Sequence, residues 1–220
     1  MRALVVLSGD LRGSEHWLAA LGRGCELIVA ADGAAAQLAA AGLRPHLLVG
    51  DLDSISAELR SALEAVDVPI ERHPRDKDRT DAELAIVAAV RRGADAVSVV
   101  GAFGGARIDH EVGNLFLLAL AEFAAVDLRL EMEDAAVRRV AGPGVLTIDG
   151  AAGDHVTLAP LSELARGVRT DGLRYPLRGE DLVRGSSRGV SNELIGERAH
   201  IELRDGLLLV ATQRRSVPST

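Results

Sequence analysis

The stretch "ELIVAADGAAAQLAAAGLRPHLLVGDLDSIS", residues 26–56, carries the pattern that decides the fold. An apolar run at 26–31 is followed by an alanine-rich helical pattern at 33–41, and a second apolar run at 46–50 ends in Gly50. A strand, a helix and another strand in this order are typical of a parallel sheet covered by helices. The same alternation extends in both directions from this stretch.

Apolar runs and helical patterns alternate over the first 131 residues. The runs predict strands at 3–8, 26–31, 46–50, 68–72, 96–101 and 126–131, with helices near 14–21, 33–41, 57–65, 81–92 and 110–123. After residue 132 the helical spacing disappears, and short strand-like pieces are separated by glycine-rich turns. The sequence therefore predicts an α/β fold, with a parallel-sheet domain over 1–131 and a small antiparallel β domain over 132–220.

The composition is that of a globular chain with a sizeable core. The chain has 220 residues, of which 48% are hydrophobic and 26% charged, and these values exclude a disordered chain. The net charge of −7 and the lack of a long basic stretch disfavour nucleic acid as a partner. No apolar run approaches the ~20 residues that span a bilayer, so we expect no membrane partner.

Two features of the chain bear on its compartment. The first apolar run, at 3–8, is shorter than the apolar stretch of a secretory signal. The single cysteine, Cys25, excludes an intramolecular disulfide and a cysteine-based zinc site, and we expect it to be a small buried side chain. These observations predict a cytoplasmic protein.

Two carboxylates follow the strand predicted at 46–50. Asp51 and Asp53 are separated by one residue, and like charges so close together repel unless a cation compensates them. Ligands of open α/β sheets also bind outside the carboxyl ends of the strands. The sequence therefore predicts that these aspartates face a bound cation.

Further polar residues and glycines follow the neighbouring strands at the same edge. They are Asp32 and Gly33; Lys77, Asp78, Thr80 and Asp81; and Gly104, Gly105, Arg107 and Asp109. Carboxylate oxygens suit Mg²⁺, which proteins commonly hold with one or two carboxylates and substrate phosphates. Basic side chains and backbone N–H groups would then face the phosphates. Because the P-loop and dinucleotide motifs are missing from the sequence, the residues by themselves indicate a Mg²⁺-dependent enzyme acting on a nucleotide or another polyphosphate.

Several of these residues also have a structural interpretation. Thr80 and Glu83 match a capping box, in which Thr80 caps a helix and Asp81 complements its dipole. Asp109 could start the next helix, and His110 could be a polar residue of its first turn instead of a phosphate contact. The residues alone leave both interpretations open.

Four segments are more specific together than any one of them alone. In order they read "ADGA…GLRPHLLVGDLDSIS", "KDRTDAELAI", "GGARIDHEVGNLFLL" and "GVRTDGLRYPLRG…GVSNEL". Their order and spacing resemble those of the thiamine pyrophosphokinases along nearly the whole chain. The resemblance implies an α/β nucleotide-binding domain, a C-terminal β-sandwich that binds thiamine, and a homodimer with sites at the subunit interface. It also implies the reaction of ATP with thiamine to give thiamine diphosphate and AMP.

The resemblance further implies roles for individual residues. The carboxylates that hold Mg²⁺ are matched by Asp51, Asp53 and Asp81, and the loop beside ATP by Asp32 and Gly33. Positions around the phosphates and the reacting centre are matched by Lys77, Asp78, Thr80, Arg107, Asp109 and His110, and positions that hold thiamine by Ser191 and Asn192. Tyr175 is the nearest candidate for a ring that stacks on thiamine, with packing inside the β domain as the alternative.

The sequence leaves two chemical questions open. The proton of the thiamine hydroxyl could be taken by Asp81 or by Asp109. The acceptor could also be another alcohol, such as a hydroxymethylpterin, and a non-catalytic nucleotide- or thiamine-binding regulator is the remaining alternative.

Overall fold

The structure is a computed structural model that describes residues 1–51 and 55–215. The chain divides into two compact units, Met1–Glu133 and Asp134–Thr220. Each unit has its own secondary structure and its own hydrophobic core, and each is described here by itself.

The first unit contains a parallel sheet. Its strands are β1 (Arg2–Val6), β2 (Leu27–Ala31), β3 (Leu47–Gly50), β4 (Ile70–Arg72), β5 (Ala96–Val100) and β6 (Asp127–Glu131), and they lie in the order β6-β5-β1-β2-β3-β4. All neighbouring pairs in this order run parallel. Both β2 and β3 are buried along their whole length, as expected for strands covered on both faces. The parallel α/β arrangement predicted from residues 26–56 is confirmed.

Helices connect these strands. They are α1 (Glu15–Arg23), α2 (Ala35–Ala40), α3 (Ala57–Glu64), α4 (Asp81–Arg91) and α5 (Ile108–Leu117). The core of the unit joins buried residues of β1, β2 and β3 with others from α1 and α2, such as Leu18 and Leu38. Trp17 packs against this core, whereas Cys25, which we expected to be buried, is only half-buried.

The last helix of this unit differs from its prediction. The sequence predicts a helix near 110–123, but α5 ends at Leu117 and is followed by a 3-10 turn at Ala121–Phe123. The amide N–H groups of Ala119 and Leu120 bond to carbonyls three residues earlier, so the helix tightens as it ends. Phe123 is fully buried, and its burial explains why the chain leaves the helical path despite having no glycine or proline there.

The second unit consists of antiparallel strands. They are β7 (Ala135–Ala141), β8 (Gly144–Asp149), β9 (His155–Pro160), β10 (Leu164–Asp171), β11 (Arg178–Val183), β12 (Asn192–Glu193), β13 (Arg198–Leu203) and β14 (Leu207–Gln213). One sheet has the order β12-β9-β14-β7 and the other β11-β10-β13-β8. Leu146 and Ile201 from one sheet and Leu158 and Val210 from the other share one core. The unit is therefore a β-sandwich, as the resemblance implied.

None of the helices in the described residues is long and apolar enough to cross a membrane.

Candidate active site

A cavity of about 440 Å³ lies at the carboxyl edge of the parallel sheet, beside β1 and β5. These strands are neighbours, but the chain leads from β1 towards β2 on one side and from β5 towards β6 on the other. Such a reversal of strand order is where open α/β sheets bind ligands. The residues lining the cavity are Leu7, Ser8, Gly9, Ala31, Asp32, Asp81, Ala82, Gly101, Ala102, Gly105, Ala106, Arg107, His110, Glu111 and Asn114.

The floor of the cavity is formed by the segments after β1 and β5, which touch backbone to backbone. The N–H of Gly9 donates to the carbonyl of Gly101 at 2.9 Å, and the N–H of Asp10 donates to that of Phe103 at 3.1 Å. A Cβ atom at Gly9 would lie 2.2 Å from the Phe103 oxygen, so only glycine fits. The amide of Gln37 in α2 donates to the Gly9 carbonyl and holds this segment from the other side.

Asp32 enters the cavity from the end of β2. Its φ of 47° is in the left-handed region, which aspartate tolerates better than most residues. A Cβ atom at Gly50 would lie 3.1 Å from the Cβ of Asp32, and Gly50 itself has a φ of 146°. The ends of β2 and β3 are therefore packed tightly together, and the half-buried Asp51 follows directly. The Oδ1 atom of Asp32 is buried and has no hydrogen-bond partner within the described chain.

The segment before α4 brings Lys77 to Asp81. The Nζ atom of Lys77 lies 2.8 Å from Oδ1 of Asp81, and the side chain of Lys77 is only 14% exposed. This buried Oδ1 atom nevertheless has no hydrogen bond of good geometry among the described residues. Thr80 is the N-cap of α4, since its hydroxyl accepts from the N–H of Glu83 at 3.2 Å. Its capping role is thereby confirmed, while Asp78 is exposed beside it.

The start of α5 supplies the basic side of the cavity. Arg107 forms an ion pair with Asp109 through two contacts, and both side chains are mostly exposed. Hydrogen bonding from Arg107 lowers the pKa of Asp109, so this carboxyl stays ionised at neutral pH. His110 lines the cavity beside them. Glu111 accepts a hydrogen bond from the N–H of Gly104 at 2.8 Å and so fixes the glycine-rich loop after β5.

The expected metal-binding carboxylates are only partly described. Asp53 lies outside the described residues, as do its neighbours in sequence, residues 52 and 54. Among the residues that are described, no three His, Cys, Asp or Glu side chains form a group that could hold a metal ion. The buried, unpartnered oxygen of Asp32 and the carboxylate of Asp81, which pairs with Lys77, line one cavity and are the kind of ligand that Mg²⁺ takes when phosphate oxygens complete its shell. The donor set therefore fits Mg²⁺ bound together with a polyphosphate.

In the β-sandwich, Ser191 and Asn192 differ in their surroundings. Ser191 is exposed and has a left-handed φ of 62°. Asn192 is buried, and its side-chain amide bonds to the backbone of Tyr175. Tyr175 is 59% exposed, so its side chain is not buried in the core of the β domain.

Some residues of the cavity carried no sequence signal of function. The sequence assigns no functional role to Ser8 and Gly9, although they line the cavity. Glu111 and Asn114 lie within the segment "GGARIDHEVGNLFLL" without an assigned role, and the buried amide of Asn114 donates to the Ala102 carbonyl at 2.9 Å. A polar residue on the apolar face of a helix was the one available sign for Asn114.

Comparison with known proteins gives a consistent result for both units. Residues 18–130 match the sequence model described as "Thiamin pyrophosphokinase, catalytic domain", and residues 145–208 match "Thiamin pyrophosphokinase, vitamin B1 binding domain". The thiamine pyrophosphokinase of Bacillus subtilis (strain 168) is 29% identical over 185 residues, which are 84% of this chain and 86% of that protein. Thiamine pyrophosphokinase 1 of rice, Oryza sativa subsp. japonica, is 26% identical over 68% of this chain and 59% of its own length.

Solved structures resemble the fold along almost the whole chain. The thiamine pyrophosphokinase structure from Bacillus subtilis superposes with a TM-score of 0.85 at 26% identity, covering 98% of this chain and 100% of that one. The structure from Geobacillus thermodenitrificans has a TM-score of 0.83 at 28% identity, with 98% and 99% covered. Since the matched domain models together cover more than half of its residues, the chain belongs to the thiamin pyrophosphokinase family.

Proposed function

We propose that the chain transfers a diphosphate group from ATP to the hydroxyethyl oxygen of thiamine, giving thiamine diphosphate and AMP. The observation that carries the proposal is the cavity at the strand-order reversal. Buried carboxylate oxygens of Asp32 and Asp81 line this cavity together with Arg107, and the chain belongs to this family. That mixture of acidic and basic groups suits phosphoryl transfer, which depends on positioning and on charge neutralisation.

ATP is proposed to bind in this cavity with its phosphates towards α4 and α5. The N–H groups at the start of these helices, together with Arg107 and Lys77, are proposed to supply positive charge to the phosphates, and His110 is proposed to contact them. Gly33, which follows Asp32, and Asp78, which follows Lys77, are proposed to contact the nucleotide. The residues proposed to hold Mg²⁺ are Asp51, Asp53 and Asp81, and the unpartnered oxygen of Asp32 adds a further ligand. Mg²⁺ bound there would neutralise charge on the phosphate oxygens.

The proposed step is a direct in-line displacement. The thiamine hydroxyl oxygen attacks the β-phosphorus of ATP, the bond from that phosphorus to the α–β bridging oxygen breaks, and AMP leaves. Arg107 is proposed to stabilise the negative charge that develops on the transferred diphosphate group. For this, its guanidinium must break the ion pair with Asp109 and bind a phosphate oxygen instead. The hydroxyl proton is proposed to pass to a carboxylate, either Asp81, which lines the cavity, or Asp109, and both lie in the first turns of their helices.

The reaction is tested by measuring AMP release from ATP and Mg²⁺, with and without thiamine, while thiamine diphosphate is followed as its fluorescent oxidation product. We expect AMP and thiamine diphosphate in equal amounts, both dependent on thiamine. AMP release with a hydroxymethylpterin but not with thiamine would show that the acceptor substrate is the pterin alcohol. Binding of ATP without turnover on any acceptor would indicate a non-catalytic regulator.

The metal assignment is tested with Asp51→Asn. We expect kcat to fall by about a hundredfold or more, since a neutral amide no longer compensates the cation. A variant that keeps normal activity at every Mg²⁺ concentration would overturn the assignment. Direct Mg²⁺ titration in the presence of a non-hydrolysable ATP analogue provides a second readout that does not depend on turnover.

The homodimer and the cytoplasmic location expected from the sequence remain proposals. Sedimentation velocity tests the first, since the chain mass of 23.1 kDa predicts a dimer of twice that value.

A further inference from the structure

We propose that Asn192 is a positioning residue, whose buried amide holds the backbone of Tyr175 so that the exposed Tyr175 ring is presented to thiamine. The proposal rests on the function proposed above and adds to it. It replaces a direct contact between Asn192 and the substrate with an indirect role through Tyr175.

The first observation is the hydrogen bonding of Asn192, which is only 6% exposed. Its Oδ1 atom accepts from the N–H of Tyr175 at 3.0 Å and from the N–H of Glu193 at 2.9 Å. Its Nδ2 atom donates to the carbonyl of Tyr175 at 2.8 Å. The amide thus satisfies both backbone groups of one residue, 17 positions away in the chain.

The second observation is the backbone pairing that this amide extends. The N–H of Arg174 donates to the carbonyl of Glu193 at 2.9 Å, and Leu173 and Leu194 form an antiparallel bridge. The pairing ends at the next residue, since Tyr175 bonds to the side chain of Asn192, and Ser191 before it has a left-handed φ of 62°. The side chain of Asn192 takes the place of the missing main-chain partner, because an amide offers the same donor and acceptor as a peptide group.

The third observation is that the ring of Tyr175 has little packing to hold it. Tyr175 is 59% exposed, and Arg174 lies with its guanidinium carbon 5.7 Å from the ring centroid. Arg174 is itself held by Glu193 at 2.9 Å. Because neighbouring side chains bury so little of the ring, its place depends on the backbone that carries it, and Asn192 fixes that backbone. An exposed aromatic ring on a fixed backbone is a suitable platform for a flat heterocycle.

The test uses the fact that Tyr175 is the single tyrosine of the chain. Tyrosine labelled with ¹³C in the ring therefore gives one NMR environment, which reports on this side chain alone. We expect thiamine to shift the Tyr175 signal of the wild-type chain, and Asn192→Ala to move or broaden that signal before any ligand is added.

Steady-state kinetics provide the second readout. We expect Asn192→Ala and Tyr175→Ala each to raise KM for thiamine by about tenfold, the worth of one aromatic contact, with KM for ATP and kcat nearly unchanged. The double variant should be no worse than Tyr175→Ala, since Asn192 acts through Tyr175. Tyr175→Phe keeps the ring, so its KM for thiamine should rise less than that of Tyr175→Ala.

Ser162→Ala is the matched control in the same β-sandwich. The Ser162 hydroxyl also bonds to backbone on both sides, donating to the Leu164 carbonyl at 2.8 Å and accepting from the Leu207 N–H at 3.0 Å. This variant should lose some stability but leave both the Tyr175 signal and KM for thiamine unchanged.

The inference is overturned if Asn192→Ala leaves the Tyr175 signal in place, or if the two single effects add in the double variant. Asn192→Asp covers the case in which the alanine variant fails to fold. It keeps the acceptor and loses the donor to the Tyr175 carbonyl, so a wild-type signal there would equally contradict the proposal. Failure of the proposed function is a separate result, since it would appear as a wild-type chain that makes no thiamine diphosphate.

Discussion

Asp32 holds one carboxylate oxygen away from water without a hydrogen bond in the described chain, whereas the buried oxygen of Asp81 lies 2.8 Å from Nζ of Lys77. A buried polar atom left without a partner costs about 1–3 kcal/mol, and more when it is charged. Such a cost is typical of binding sites, where a ligand supplies the missing partner. At the scale of single residues, the unpartnered oxygen of Asp32 is the clearest sign that the cavity is built for a cation or a donor.

Asp32→Asn tests this interpretation. Asparagine tolerates the left-handed conformation of residue 32, so the backbone should not change. We expect the free energy of unfolding, measured with urea, to stay equal or rise, because a buried charge is removed. We expect kcat/KM for ATP to fall at least about tenfold, since a charged ligand is lost.

Asp67→Asn is the matched control for Asp32→Asn. Asp67 also has a left-handed φ, of 53°, but it is exposed. Its variant should change neither activity nor stability measurably. Equal losses of activity in both variants would show that the effect does not come from the cavity.

At the scale of elements, the floor of the cavity depends on contact between the segments after β1 and β5. Gly9 and Gly101 are both needed there, because a Cβ atom at either would lie within 2.3 Å of a backbone oxygen of the other segment. The strand order places these segments side by side although they are far apart in sequence. The shape of the site is therefore a property of two elements together.

Gly9→Ala should separate these two segments. We expect a loss of about 1–3 kcal/mol in the free energy of unfolding, as for other overpacked sites, together with a raised KM for ATP. Gly113→Ala is the control, since this glycine lies in α5 with nothing within 4 Å of an added Cβ. It should stabilise the helix by about 0.5–1 kcal/mol. Unchanged ATP binding in a folded Gly9→Ala chain would contradict the role of the floor.

Two helices of the first unit have the same kind of N-cap. Ser56 accepts from the N–H of Leu59 at 3.2 Å at the start of α3, and Thr80 makes the equivalent bond at 3.2 Å in α4. Ser56→Ala and Thr80→Ala should each lower the free energy of unfolding by about 1 kcal/mol. Only Thr80→Ala should also lower kcat, because Thr80 adjoins Asp81. Thermal unfolding measures the loss of stability, and the AMP assay measures kcat. Equal activity in the two variants would show that Thr80 acts only as the helix cap.

At the scale of the whole molecule, each unit has its own core and its own spectroscopic reporter. Trp17, the single tryptophan, packs against the core of the first unit, and Tyr175, the single tyrosine, belongs to the second. Trp17 fluorescence can therefore follow the unfolding of the first unit within the full-length chain.

Ligand binding to the first unit should appear in the Trp17 signal. A non-hydrolysable ATP analogue with Mg²⁺, at a hundred times its Kd, should stabilise this unit by about 2.7 kcal/mol. At the same concentration, a tenfold weaker affinity in Asp32→Asn should reduce this stabilisation to about 1.4 kcal/mol. A full stabilisation retained in that variant would mean that the nucleotide binds away from the cavity.

The order of elements was determined by the sequence itself. Strand and helix positions follow from local periodicity, and the observed strands of the first unit agree with the predicted ones to within about two residues. The helix predicted near 110–123 was wrong at its end, because burial of Phe123 is a tertiary effect that local pattern does not contain. The edge of the sheet that carries the acidic residues was also predictable, since all carboxyl ends of parallel strands meet there.

Only the tertiary structure decided which side chains meet at that edge. The neighbourhood of β1 and β5, and with it the floor at Gly9, depends on strand order and not on any local pattern. In the same way, the adjacent residues Ser191 and Asn192 looked alike as substrate contacts, yet one is exposed and the other is buried against Tyr175. Periodicity assigns residues to faces and ends of elements, but contacts between distant residues come from packing, so the sequence determined the components of the site and the fold determined their roles.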